Sequence, residues 1–232
     1  MRSNLAAYKP YQVFLNYPFD AGFEPLANAM HFAVVAAGLL PVCAKDLTAP
    51  DRPRLDMIID AITNCHYSAH DFSKVGGEGT NTLAHFNMPL EMGMALFHAY
   101  QTQRQEHRCA FFISTPHLYQ AFVSDLAGLD PILHRNDDLL LASGVYEWLR
   151  NVVPPAIFNL QPSIEVTRRQ NEFKARLSRL RGNGKDGLPS HAEVQELIYQ
   201  ICEEAGWWDW RAHKAGRMEF PPLPLSWSDQ SV

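Results

Sequence analysis

The sequence predicts an α/β fold: a flavodoxin-like three-layer sandwich with a five-stranded parallel sheet, followed by a C-terminal helical hairpin. Three observations carry this. Short apolar runs alternate with segments of helical period from residue 12 to residue 152. Such alternation implies parallel strands joined by right-handed crossovers. After Pro154-Pro155 the pattern becomes helical only. The chain has 232 residues, 47% of them hydrophobic and 19% charged, which suits one ordinary domain with a small appendage. A chain of this size buries a core without covalent or metal staples.

The elements follow in order. Residues 12–16, QVFLN, form a first strand, and 16–20 a loop. Residues 24–37, rich in Ala, Leu and Met, form a helix that Gly38 ends as a C′ glycine. Residues 39–44 are a short apolar second strand. Leu55, Ile58, Ile59 and Ile62 recur at helical spacing within 55–64. A third strand covers 67–72, and a glycine-containing loop 75–85. Residues 89–100 form a helix with Pro89 in its first turn. The continuous apolar run 109–114 is a buried fourth strand. Residues 119–126 read as a helix, 130–134 as a weak fifth strand, and 137–152 as a helix. Residues 163–180 and 190–205 form the hairpin, the second helix opening with the capping box Ser190/Glu193. A Trp- and Pro-rich tail follows from Gly206. The expected division is 1–155 for the α/β domain and 156–232 for the hairpin and tail.

Composition narrows the function classes. A formal net charge of -5 argues against a dedicated nucleic-acid binder. The exception is the basic stretch 168–185, with Arg168, Arg169, Lys174, Arg176, Arg179, Arg181 and Lys185. It offers a face for nucleic acid or an acidic partner, or simply a solvated helix face. Cys43, Cys65, Cys109 and Cys202 are widely spaced, which reads as reduced thiols and a cytoplasmic protein. The first residues lack an apolar h-region, and the longest apolar stretch, 31–44, is too short to span a membrane. The cysteines form no C-x-x-C pair, so no metal is expected. There is no G-x-S-x-G and no P-loop motif.

Parallel α/β sheets bind ligands beyond the carboxyl ends of their strands, at the switch point. The loops after the first and third strands are therefore the candidate site. Asp71-Phe72-Ser73 ends the third strand, and Phe86-Asn87-Met88-Pro89-Leu90-Glu91-Met92-Gly93 opens the next helix. Glu91 is expected to point into the crevice, with Gly93 letting the helix approach the sheet. A carboxylate there can bind ribose hydroxyls, or stabilise or attack the cationic carbon formed when an N-glycosidic bond breaks. The competing explanation is structural. With Pro89 at N1, Glu91 falls at N3, a capping position. Asp71 equally suits a strand-end turn, and Asp20 an N-cap before the first helix. Arg52 and Arg54 are candidate phosphate ligands, or solvated loop residues.

The segments VFLNYPFD (13–20), CHYSAHDFS (65–73) and FNMPLEMGMA (86–95) resemble the TIR-like branch of the TIR and nucleoside 2-deoxyribosyltransferase-like Rossmannoid superfamily of bacteria. SDLAGLDPILHRND (124–137) and VYEWLR (145–150) resemble its later part, so the resemblance covers roughly residues 10–152. It implies an N-glycosidic-bond-cleaving enzyme, foremost an NAD glycohydrolase that yields nicotinamide and ADP-ribose or a cyclised form. NAD is then substrate, with no separate cofactor. It implies Glu91 as the catalytic residue, contacting the ribose in TIR enzymes or attacking the anomeric carbon in the transferases. Asp71 would hold base or sugar. Tyr17, Pro18, Phe19 and Asp20 would shape the base pocket, Tyr17 and Phe19 by stacking, with Ser73, Asn87 and Met88 beside them. It also implies a bacterial immune effector acting as a homo-oligomer or with a partner defence protein. The alternatives are a nucleoside deoxyribosyltransferase or hydrolase, and a non-catalytic nucleotide-sensing or partner-binding module.

Overall fold

A computed structural model describes residues 11–74, 87–121, 123–183 and 188–207. The loop expected over 75–85 and the tail from 208 onward lie outside the described residues. β1 (Gln12–Asn16), β2 (Leu40–Cys43), β3 (Tyr67–Asp71), β4 (Arg108–Ile113) and β5 (Ile132–Leu133) form one sheet in the order β2-β1-β3-β4-β5. Every pairing is parallel, with Val13 opposite both Pro41 and Tyr67. Pro41 is tolerated because β2 is an edge strand, where one row of backbone donors has no partner strand. The flavodoxin-like sandwich read from the sequence is the fold observed.

α1 (Glu24–Ala36) and α4 (Asp138–Val152) pack together on one face of the sheet. α2 (Arg54–Asn64) and α3 (Asn87–Gln101) cover the other. α1 ends as the sequence predicts. Gly38 adopts φ +82°, Leu39 N–H donates to the Val34 carbonyl at 3.1 Å, and Gly38 N–H to Val35 at 2.9 Å. This Schellman closure needs the left-handed conformation that glycine takes without steric cost. A Cβ there would also lie 3.0 Å from Asn159 Cβ.

The hairpin is α5 (Ser163–Asn183) and α6 (His191–Glu204), and the Ser190/Glu193 capping box opens α6. It is more than an appendage. α1 is buried along nearly its whole length because sheet and α4 lie on one side and the hairpin on the other. Phe173 stacks on Phe32 with ring centroids 6.0 Å apart, and Val194, Leu197, Ile198 and Ile201 join the same core. Arg176 of α5 donates to Glu204 of α6, and Arg181 to Glu24 of α1.

One helix differs from expectation. Residues 119–126 do not form a continuous α-helix; 3₁₀ turns occupy Leu118–Ala121 and Ser124–Gly128. Val123 lies between them at φ -141°, ψ 63°, which interrupts the helical ladder. Among the described residues no helix is long and apolar enough to cross a membrane.

Candidate functional site

The order β2-β1-β3 puts the switch point beside β1, and a cavity of about 600 Å³ opens there. Its walls come from the loop after β1 (Tyr17, Pro18, Phe19, Asp20), the start of α2 (Arg54, Leu55, Ile58) and the first turns of α3 (Asn87, Met88, Glu91). The volume lies in the range of small-molecule sites. Two of the segments that line the cavity are ones the sequence singles out: the first loop, and the start of α3 with Glu91.

Glu91 is 8% exposed. α3 begins at Asn87, so Glu91 is its fifth residue, in the second turn. Pro89 is not N1 and Glu91 is not N3, which removes the helix-capping explanation. No hydrogen bond from a described side chain or backbone group reaches its carboxylate. Burial among apolar walls raises its pKa from 4.5 to about 7, against the lowering influence of the Arg54 guanidinium. Gly93 does not serve close packing as expected. It is exposed, and a Cβ there would meet nothing within 4 Å. Residues of α3 that pack toward the sheet include Ala95, fully buried against Phe14 and Ile58, and Met92, clustered with Phe111.

Sequence reasoning missed Asn16. It ends β1 on the same face as Phe14, and it is one of the residues lining the cavity. Asn16 Nδ2 lies 3.0 Å from the Met88 carbonyl and 3.0 Å from His70 Nδ1. A buried chain runs on from there. His70 Nε2 is 2.9 Å from Ser68 Oγ, Ser68 Oγ is 2.8 Å from His107 Nε2, and His107 Nδ1 is 2.8 Å from the Cys65 carbonyl. The Cys65 carbonyl can only accept, so His107 carries its proton on Nδ1. Ser68 must then donate to His107 Nε2 and accept from His70 Nε2–H. His70 Nδ1 is thereby an acceptor, and both amide hydrogens of Asn16 are committed. Burial lowers the His70 pKa to about 3, so it stays neutral and this direction holds. The chain fixes the Asn16 amide and leaves Oδ1 as its acceptor for a ligand.

The aromatic loop residues divide. Phe19 is 49% exposed at the cavity mouth, whereas Tyr17 is buried. Tyr17 packs edge-on to Phe19 at 5.3 Å and its hydroxyl lies 2.8 Å from His31 Nε2, so it is a wall rather than a stacking surface. Lys45 Nζ sits 5.2 Å from the Phe19 ring centroid. Asp20 does not cap α1 itself. Its Oδ1 accepts from Phe23 N–H at 3.0 Å and from Lys74 Nζ at 2.9 Å. Burial would raise its pKa, but Lys74 and the Phe23 and Gly22 N–H groups outweigh this and hold it below the usual carboxylate value.

Asp71 and Ser73 are not among the residues that line the cavity. Asp71 follows His70, so strand alternation turns it to the other side of the sheet. It is fully buried; Oδ1 accepts from Ser73 N–H at 2.8 Å, the strand-end turn that the sequence allowed. His134 Nε2 lies 3.0 Å from Asp71 Oδ2 and 2.8 Å from Ser73 Oγ.

The basic helix is largely neutralised within the chain. Arg168 and Arg169 pair with Glu165, Arg169 and Arg176 with Glu172, and Lys174 with Asp138. Arg54 donates to the Leu47 carbonyl at 3.3 Å on the cavity rim, and Arg52 pairs with Asp60 at 2.7 Å outside it.

Neither a protein-family model nor a curated protein matches the sequence.

Proposed function

We propose that this chain cleaves N-glycosidic bonds, as a TIR-like NAD glycohydrolase with Glu91 as the catalytic carboxylate. The observation that carries the reading is Glu91 itself: a buried carboxylate, uncommitted to any described group, in the wall of a 600 Å³ cavity at the sheet's switch point. In the reaction the C1′–N bond of the nicotinamide ribose breaks and its electron pair leaves with neutral nicotinamide. Positive charge develops on the ribose carbon. The Glu91 carboxylate stabilises that charge, more strongly for being poorly hydrated. Water then adds to C1′ and releases a proton, giving ADP-ribose; attack by another group of the substrate gives a cyclised form. In this reading Asn16 Oδ1 accepts from a ribose hydroxyl and Phe19 packs on the departing base.

Leaving-group chemistry favours NAD over a neutral nucleoside. A neutral base needs a proton to depart. Asp20, the other carboxyl among the described lining residues, is paired with Lys74 and held ionised, so it is a poor acid. Nicotinamide in NAD already carries the positive charge. Deoxyribosyl transfer or nucleoside hydrolysis, with Glu91 as covalent nucleophile, is the second reading. It is favoured by the absence of any described hydrogen bond that would occupy that carboxylate.

The resemblance extends this proposal to a bacterial immune effector in the cytoplasm, activated by self-association or by a partner defence protein. Chromatographic product analysis tests the reading. The protein is incubated over a concentration series with NAD, nucleosides or deoxynucleotides, with Glu91→Gln as control. Glu91-dependent nicotinamide release is the expected result. Free base from nucleosides alone transfers the claim to the second reading, and tight nucleotide binding without product identifies a binding module.

A further inference from the structure

Behind the cavity wall, side chains from three separate parts of the chain converge. His31 comes from the middle of α1, Cys43 from the end of β2, Asp46 from the turn that follows, and His191 from the first residue of α6. One ligand atom from each of His31, Cys43 and His191 lies within 4.8 Å of the others. Cys43 Sγ is 3.6 Å from His191 Nε2, and Asp46 Oδ1 is 3.1 Å from the same nitrogen.

The Cys43–His191 spacing matches one edge of a tetrahedral metal site. With Zn–S of about 2.3 Å and Zn–N or Zn–O of about 2.05 Å at tetrahedral angles, the S···N edge is about 3.6 Å and the N···O edge about 3.3 Å. A second observation is independent of that match. His31 is 2% exposed, and its Nδ1 is buried with no hydrogen-bond partner among the described residues. An unpaired ring nitrogen in the interior is costly unless something binds the imidazole. Burial, followed by the His191 charge, lowers the His31 pKa to about 3, so the ring is the neutral form that binds metals. Burial pushes the Cys43 thiol up to about 12, which makes it a poor nucleophile in the metal-free chain.

We propose that His31, Cys43 and His191 form a site for a zinc-like divalent cation, with the Asp46 carboxylate beside it. Thiolate with imidazole selects a borderline-soft metal over magnesium or calcium. Three protein ligands leave a fourth position for water or for the neighbouring Asp46 carboxylate. Binding forms the metal–sulfur bond and releases the Cys43 thiol proton to solvent. The cation would pin the start of α6 to α1 and to the turn after β2. Tyr17, hydrogen-bonded to His31, would carry that rigidity to the cavity wall.

The test uses the full chain, stripped with chelator and titrated with Co²⁺ and with Zn²⁺. Wild type is expected to bind one equivalent. Co²⁺ should give a thiolate-to-metal absorption band and tetrahedral d–d bands, both displaced by Zn²⁺. His191→Ala should weaken Zn²⁺ affinity more than about 100-fold, beyond the effect of losing a supporting contact. His191 is partly exposed at a helix start, so this variant is expected to fold. Cys43→Ser should abolish the thiolate band. Zn²⁺ should raise the Tm of wild type and not that of His191→Ala. Absence of stoichiometric binding at micromolar Co²⁺ or Zn²⁺ would overturn the proposal. So would a Co²⁺ spectrum without the thiolate band, or equal affinity in His191→Ala.

Discussion

Replacing Glu91 with Gln should make the folded chain more stable at alkaline pH while leaving it unchanged in acid. The reasoning rests on where the carboxyl titrates. Burial raises the Glu91 pKa from 4.5 to about 7, so the native state holds its proton more tightly than the unfolded chain does. Below pH 4.5 both states are protonated and Glu91 costs nothing. Between pH 4.5 and 7 the unfolded chain ionises first, and native stability falls. Above pH 7 both states are ionised and the full cost remains. At ~1.4 kcal/mol per pKa unit, that cost is about 3 kcal/mol. Gln has the shape of the protonated acid and does not ionise, so the variant escapes the decline. Urea unfolding at pH 4, 6 and 8.5 measures the difference. The two proteins should match at pH 4, and Glu91→Gln should lead by about 2–3 kcal/mol at pH 8.5, equivalent to roughly 5–10 °C in Tm for this chain length. A constant offset at all pH values, or a variant less stable at pH 8.5, would refute the claim that Glu91 sits desolvated and unpaired.

Other expectations follow from the same contacts. Arg54→Gln removes the cation that favours ionised Glu91, so the midpoint of the pH-dependent difference should move upward, read from the same unfolding series. Ser68→Ala breaks the buried chain between His70 and His107 and leaves buried polar atoms unpaired. It should cost about 1–3 kcal/mol in denaturant unfolding and also weaken ligand binding at Asn16. Gly144→Ala would place a Cβ 2.8 Å from Ile132 Cγ2, a methyl close to the β5 backbone that cannot swing away. It should destabilise by about 1–3 kcal/mol, measured as a lower urea midpoint at unchanged slope.

Local rules made most of the fold readable. Short apolar runs, period-3.6 patterns, the C′ glycine Gly38 and the Ser190 capping box act over a few residues, and each element they define is present. The 119–126 segment fails because 3₁₀ and α turns share their composition, and the outcome turned on the backbone angle at Val123. The site was legible where a loop follows directly from topology, as for Glu91 and residues 17–20. Asn16 was not, because its importance comes from His70 across a strand boundary and from the chain behind it. Asp71 shows the opposite error. An acidic residue at a strand end marks the crevice, yet the alternation of side chains decides which side it faces. The His31/Cys43/His191 group has no sequence signature because its members are 12 and 148 residues apart and meet only after the hairpin folds over α1.

The central claim is that Glu91 breaks an N-glycosidic bond, and the most direct measurement is the rate of nicotinamide release from NAD as a function of pH. Wild type and Glu91→Gln would be compared at concentrations spanning self-association, each shown folded by circular dichroism. The account predicts release that needs Glu91 and rises with pH through about 7 as the carboxylate ionises. Equal release by Glu91→Gln, a rate that falls with pH across that range, or bound NAD with no product at any concentration would contradict it.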